Sequence, residues 1–194
     1  MAFSGQSGVE ADGERDRPQE LVATARLLAD ETGSAAFTVA RLTSRAGVSL
    51  KGFYASFRSK DELLLALLAE DSRIGAEVLA ERIGDRTGPD GLRAYVVELF
   101  AMLTLPGAIG YAGVLVRERR RLVESHDAEL RDALAPLVDL LARHIDSNDP
   151  KRDARTMFAV LLEGINDIVV GGVADTNELA EYLYRFCSAG TGGA

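Results

Sequence analysis

Helix punctuation crowds a single stretch of this chain, FTVARLTSRAGVSLKGFYASFRSKDELL, residues 37–64. Thr38 can cap a helix in which Val39, Leu42 and Ala46 recur on one face, and Gly47 can close it. Ser49 can cap a second, very short helix ending at Tyr54 or Ala55. Ser59 and Glu62 then make the S-x-x-E pattern of a capping box at the head of a long apolar helix. Helix starts this close together leave no length for a strand. Two short helices joined by a glycine-containing turn match a helix-turn-helix, whose second helix enters the major groove of DNA. Phe37, Val39, Leu42, Ala46, Val48, Phe53 and Phe57 are expected inside such a unit. Thr38, Arg41, Thr43, Arg45, Ser49, Leu50, Lys51, Gly52, Tyr54 and Lys60 are left for the outside.

Charge points the same way. The 194 residues carry a formal net charge of -8, yet residues 33–60 hold Arg41, Arg45, Lys51, Arg58 and Lys60 with no Asp or Glu. A basic island on an acidic body is what one small phosphate-contacting patch requires, because the remaining surface is then repelled by the polyanion. Hydroxyls can hold phosphates, lysine can donate to guanine O6 and N7, and a glycine such as Gly52 lets backbone come close.

The rest of the chain reads as helix after helix. Pro18 and Glu20 suit a first helical turn, and Leu21, Val22, Ala25, Leu28 and Ala29 keep helical spacing until Gly33. Further boundaries fall at Thr87-Gly88-Pro89, Pro106-Gly107, Ser125-His126, Asn148-Asp149-Pro150 and Gly171-Gly172. No segment alternates as a strand does, so the expected class is all-α with some nine helices. The expected domains are a mobile tail over 1–16, a helix-turn-helix domain over 17–60, a helical domain over 61–188, and a flexible tail over 189–194. No apolar run approaches the roughly eighteen residues of a membrane span, and the first residues lack a secretory h-region, so a cytoplasmic protein is expected. The one cysteine, Cys187, has no partner for an internal disulfide.

The stretch from Phe37 to Leu64 resembles the DNA-binding signature of the tetracycline-repressor (TetR) family of bacterial regulators. The resemblance lies in the aromatic-Thr-Val start, A-G-V-S at the turn, the Tyr54 and Phe57 pair, and S-K-x-E-L opening the long helix; it covers residues 17–65. It implies a homodimer whose N-terminal domains read a palindromic operator on double-stranded DNA, released when a small molecule binds the C-terminal domain. By position, Thr38 is then expected at phosphate with Arg45 nearby, Ser49, Leu50, Lys51 and Gly52 at the groove, and Tyr54 and Lys60 at backbone phosphates. The chain departs from the family pattern at Lys51-Gly52, where Gly-Thr is frequent, and at Ala55-Ser56, where an aromatic or His is frequent.

In the C-terminal half, RTMFAVLLEGINDIVVGG (residues 155–172) is apolar on more than one face. Leu161, Gly164, Ile165 and Ile168 there, with Leu179, Tyr182, Leu183 and Phe186 on the last helix, resemble the family's four-helix dimer seam, or else complete the core of one chain. The segment AYVVELFAMLTLPGAIGYAGVLV (residues 94–116) gathers Tyr95, Phe100, Met102, Leu103, Tyr111 and Leu115 around a helix break. With Phe158 and Leu162 these are either core or the wall of a cavity for an apolar or amphipathic effector. His126, His144, Glu163 and Asn166 are candidate polar partners. The run Arg117-Glu118-Arg119-Arg120-Arg121 reads as a solvated helix face in preference to a second anion site. No metal-ligand spacing, cofactor motif or nucleophile–base pair stands out, so no enzyme is expected. The rival readings are a DNA-binding regulator without an inducer, or a helical enzyme with a chance basic bend.

Overall fold

The structure, a computed structural model, describes residues 17–105, 108–172 and 175–191. The expected tail over 1–16 and the break at Pro106-Gly107 lie outside the described residues. Those residues form α1 (Arg17–Thr32), α2 (Val39–Ala46), α3 (Leu50–Ser56), α4 (Lys60–Ile83), α5 (Gly88–Met102), α6 (Ala108–Leu122), α7 (Asp127–Ala142), α8 (Pro150–Gly171) and α9 (Thr176–Thr191), with no strand among them. The last helix runs past the expected start of the C-terminal tail at 189. The chain divides into two compact units, Met1–Leu67 and Leu68–Ala194, and α4 is covalently continuous through the division.

In the first unit the sequence punctuation works locally. The Thr38 hydroxyl oxygen accepts from the Arg41 amide at 3.1 Å. Gly47 closes α2 at φ 66°, a left-handed conformation that costs glycine little, and its amide and that of Val48 both reach the Thr43 carbonyl. Ser49 accepts from the Gly52 amide at 3.0 Å, which starts α3. Ser59 accepts from the Glu62 amide at 3.1 Å, while the Glu62 carboxylate takes the Arg58 amide at 2.6 Å. The capping box therefore forms with its return bond one residue upstream of the usual N-cap. Leu21, Ala25, Leu28, Leu42, Phe53 and Leu63 have no exposed surface, and Phe37 and Phe57 are nearly as buried. Phe53 and Phe57 meet with ring centroids 5.9 Å apart.

Five residues depart from the inside–outside expectation. Thr43 is buried, its hydroxyl donating to the Ala40 carbonyl at 3.2 Å, because a short helix has too few apolar residues to fill its inner face. Val39, Ala46 and Val48 are only half-buried. Gly52 is buried as well, with consequences for the site below.

In the second unit, α8 lies centrally, packed on α6, α7 and α9, and α9 packs on α5. That position explains the broad apolar surface of α8: Ala154, Met157, Phe158, Leu161, Gly164, Ile165 and Ile168 are all buried within the one chain. A Cβ on Gly164 would stand 2.5 Å from Leu183 Cδ1 and 3.1 Å from Phe100 Cζ, so the glycine is there to admit its neighbours. Leu161, Gly164, Ile165, Ile168 and Leu183, expected in a dimer seam, are therefore core. Of the expected seam, Tyr182 and Phe186 stay 55% and 60% exposed, with ring centroids 6.4 Å apart, and Leu179 is half-buried.

Candidate DNA-contact face and effector cavity

In the first unit, α3 and its approach present Ser49, Leu50, Lys51 and Tyr54 to solvent, and Thr38 lies exposed at the head of α2. Leu50 is 51% and Tyr54 58% exposed, high values for apolar bulk on a small unit. The Tyr54 ring stands edge-on to Phe53, centroids 5.2 Å apart and planes at 87°, a contact that braces the exposed ring. Among the described residues Lys51 and Arg58 have no ion-pair partner within 4.0 Å. The arrangement can therefore offer one lysine ammonium, two or three hydroxyls and an apolar leucine to a groove.

Three residues expected on this face are otherwise engaged. Gly52 packs inward: a Cβ there would lie 2.9 Å from Val48 Cγ1 and 3.5 Å from Arg17 Cδ, so glycine serves the fit of α3 beneath the turn and not backbone approach to DNA. Lys60 folds inward, its ammonium donating to the Ala35 carbonyl and standing 4.7 Å over the Phe37 ring. Arg45 makes a two-pronged ion pair with Glu31, at 2.5 and 2.7 Å, and that guanidinium holds the exposed Glu31 carboxyl below the ordinary range. The basic island is narrower in space than in sequence, since two of its five cations are bound within the unit.

In the second unit an apolar cavity of about 170 Å³ is lined by Leu68, Leu99, Leu103, Ala112, Leu115, Val116, Leu134, Leu137, Phe158, Leu162 and Ile165, with Asp71, Ser72 and Arg119. A wider cavity of about 460 Å³ shares Arg119, Leu134, Phe158 and Leu162 with it and adds Lys151, Arg155, Arg131 and three aspartates. Leu103, Leu115, Phe158 and Leu162 thus stand where a cavity wall was expected. Tyr95 and Phe100 do not: both are fully buried core, and Tyr95 donates to the Leu137 carbonyl at 3.1 Å. Burial pushes the Tyr95 phenol far up, so it stays protonated as a donor. Met102 packs partly buried against the same core, and the Tyr111 side chain lies outside the described residues.

Arg119, expected with its run on a solvated helix face, is half-buried instead. Its signal was present: Ala112, Leu115, Val116 and Arg119 follow i, i+3, i+4, i+7 spacing, so the arginine shares the apolar face of α6. Burial lowers its guanidinium pKa from the usual value, partly offset by the Glu163 carboxylate. His144 is placed differently from expectation: both ring nitrogens are buried without a hydrogen-bond partner, and a Cβ on Gly91 would collide with Nδ1. Burial, with Arg143 nearby, pulls its pKa below 6.5. Cys187 is buried, and burial pushes its thiol pKa up. No described helix is long and apolar enough to cross a membrane. Among the described residues no group of three or more His, Cys, Asp or Glu could hold a metal ion.

Residues 21–67 match the family model described as bacterial regulatory proteins, tetR family. No curated protein matches the chain. Among solved structures, the chain is similar to FadR from Bacillus subtilis in complex with stearoyl-CoA, at 18% identity and a TM-score of 0.69, over 89% of this chain and 98% of that one. It is similar to reduced NemR from E. coli at 20% identity and a TM-score of 0.63, over 90% and 96% of the two chains. It is also similar to RolR in complex with resorcinol, at 18% identity and a TM-score of 0.61, over 91% and 89%. The capped helix-turn-helix lies within that match, so residues 21–67 form a DNA-binding domain of the tetR-family type, and the all-α likeness runs along nearly the whole chain.

Proposed function

We propose that this regulator is a homodimeric repressor that leaves a palindromic operator when an apolar or amphipathic small molecule enters the second unit. The observation that carries the reading is the leucine-lined cavity among α4 to α8, since a regulator without an inducer has no need to leave its core hollow. FadR and RolR, similar in fold, were solved with stearoyl-CoA and resorcinol, which supports a small-molecule effector. Lys51 and Leu50 read the groove in this scheme, while Thr38, Ser49 and Tyr54 hold phosphates. Tyr182, Phe186 and Leu179 supply the apolar patch on which a second copy is seated. Members of this family are typically not enzymes, and the chain is read in the same way.

The switch acts through α4. Its first turns belong to the first unit, while Leu68, Asp71 and Ser72 line the cavity in the second. A ligand that binds the DNA-incompetent state about a hundredfold better shifts the balance by roughly 2.7 kcal/mol, enough to empty a marginally occupied operator. The test begins by selecting bound oligonucleotides from a random pool. The protein–operator complex is then titrated with acyl, steroid-like and aromatic compounds, and release by at least one class is expected. Compounds that bind the protein yet leave operator affinity untouched would exclude the coupling.

A further inference from the structure

Arg119 is the one ionic side chain shared by the two cavities. It sits at the end of the α6 stripe made by Ala112, Leu115 and Val116, so its aliphatic stem continues an apolar wall. The guanidinium carries five donors, is half-buried, and has no ion-pair partner within 4.0 Å among the described residues. Glu163 acts on it only through space. Neighbouring arginines on α6 are differently placed: Arg121 pairs with Glu118 at 3.1 Å, and Arg120 is exposed.

Holding a half-buried cation without a partner costs stability, and such a group is retained where something else supplies the acceptor. The surroundings favour an anion from outside. On the wider side Lys151 and Arg155 add positive charge, Asp127 is occupied by Arg131 at 2.9 Å, and Asp132 and Asp139 remain to oppose them. On the apolar side Asp71 is engaged within the chain, and the nearly inaccessible Ser72 offers a hydroxyl.

We infer that the effector is an amphiphile with an oxyanion head, a carboxylate or phosphate, whose head pairs with Arg119 while its hydrocarbon part fills the cavity lined by Leu99, Leu103, Leu115, Leu137, Phe158 and Leu162. The inference rests on the effector reading above and names its ligand class. Arg119 suits this better than a lysine, because its planar fork donates to both oxygens of one head group. An amine-ended or neutral molecule leaves the guanidinium unpaired and should bind poorly.

The test is calorimetric titration of the intact protein, without DNA, with octanoate, octyl phosphate, octanol and octylammonium. One or both anions should bind about 10- to 100-fold tighter than octanol, with octylammonium weakest. The better anion identifies the head group. Arg119→Met should bring the anions down to the affinity of octanol and leave octanol unchanged, and Arg119→Lys should recover part of the difference. Helix content and melting temperature of both variants serve as the folding control. Octanol binding as tightly as the anions, a preference that survives Arg119→Met, or no binding by any of the four would overturn the assignment. Operator release is measured separately. Anions that bind through Arg119 without releasing DNA would defeat the repressor reading and leave this one standing, whereas octanol releasing DNA as well as octanoate would do the reverse.

Discussion

The two units carry function in opposite ways. In the first, the residues offered to a partner stand on the surface of short helices, and each is held by a local device: a hydroxyl cap, a left-handed glycine, an edge-on aromatic ring. In the second, the residues offered to a ligand line the inside, held by packing among helices distant in sequence, such as α5 with α9 and α6 with α8. The contrast shows how differently apolar residues must be read. Leu50 and Tyr54 are exposed in the first unit although apolar bulk is scarce there. The second has apolar bulk in excess, and most of it is consumed in the core before any surface is reached.

The strongest test of that contrast is Leu161→Glu against Phe186→Glu. Leu161 has no exposed surface, so a carboxylate there must be buried unpaired or expel the helix, and a loss of about 4 kcal/mol or more in unfolding free energy is expected. Phe186→Glu sits on the surface and should change chain stability by less than about 1 kcal/mol while converting the proposed dimer to monomers. Denaturant melts read the first, and light scattering reads the second. Equal melts would break the distinction between core and seam.

A middle-sized effect should separate Lys51 from Lys60. Lys51→Ala should cost about 1–3 kcal/mol per lost base contact and relax the selected consensus at one position in each half-site. Lys60→Ala, removing the donor to Ala35 and the cation over Phe37, should lower the stability of the first unit by about 1 kcal/mol and leave the consensus as it was. An altered consensus in Lys60→Ala, or an unaltered one in Lys51→Ala, would reverse the assignment.

The smallest effect concerns pH. The His144 pKa is depressed in the folded protein, so below about 6.5 the unfolded chain takes up a proton that the folded chain resists. Stability contributed by neutral His144 is therefore intact above that pH and lost as the pH falls through and below it. His144→Gln should flatten the profile there, as read from melts between neutral and mildly acid pH. An unchanged slope would show that the imidazole is hydrated or paired in solution.

Legibility along the chain followed the range of the interactions. The caps at Thr38, Ser49 and Ser59 and the stop at Gly47 act over three or four residues, and the sequence displays both partners together. Lys60 turns toward Ala35 and Phe37, which come from another segment, so its inward placement has no local signal. Arg45 was likewise credited to DNA although Glu31 is fourteen positions away. The stripe on α8 correctly indicated burial on two sides, yet no periodicity can say whether a neighbour helix or a second chain provides the cover.

The sequence by itself therefore determined the all-α class, the capped helix-turn-helix and the exposed Lys51 and Tyr54, since turns, caps and helical period are properties of contiguous residues. Only the tertiary structure decided that Leu161 and Gly164 are core, that Tyr95 and Phe100 leave the cavity wall to Leu99 and Leu137, and that Arg119 stands beside a hollow without a salt-bridge partner among the described residues. A cavity is space that several distant helices fail to fill, and no short stretch of sequence records what its neighbours leave empty.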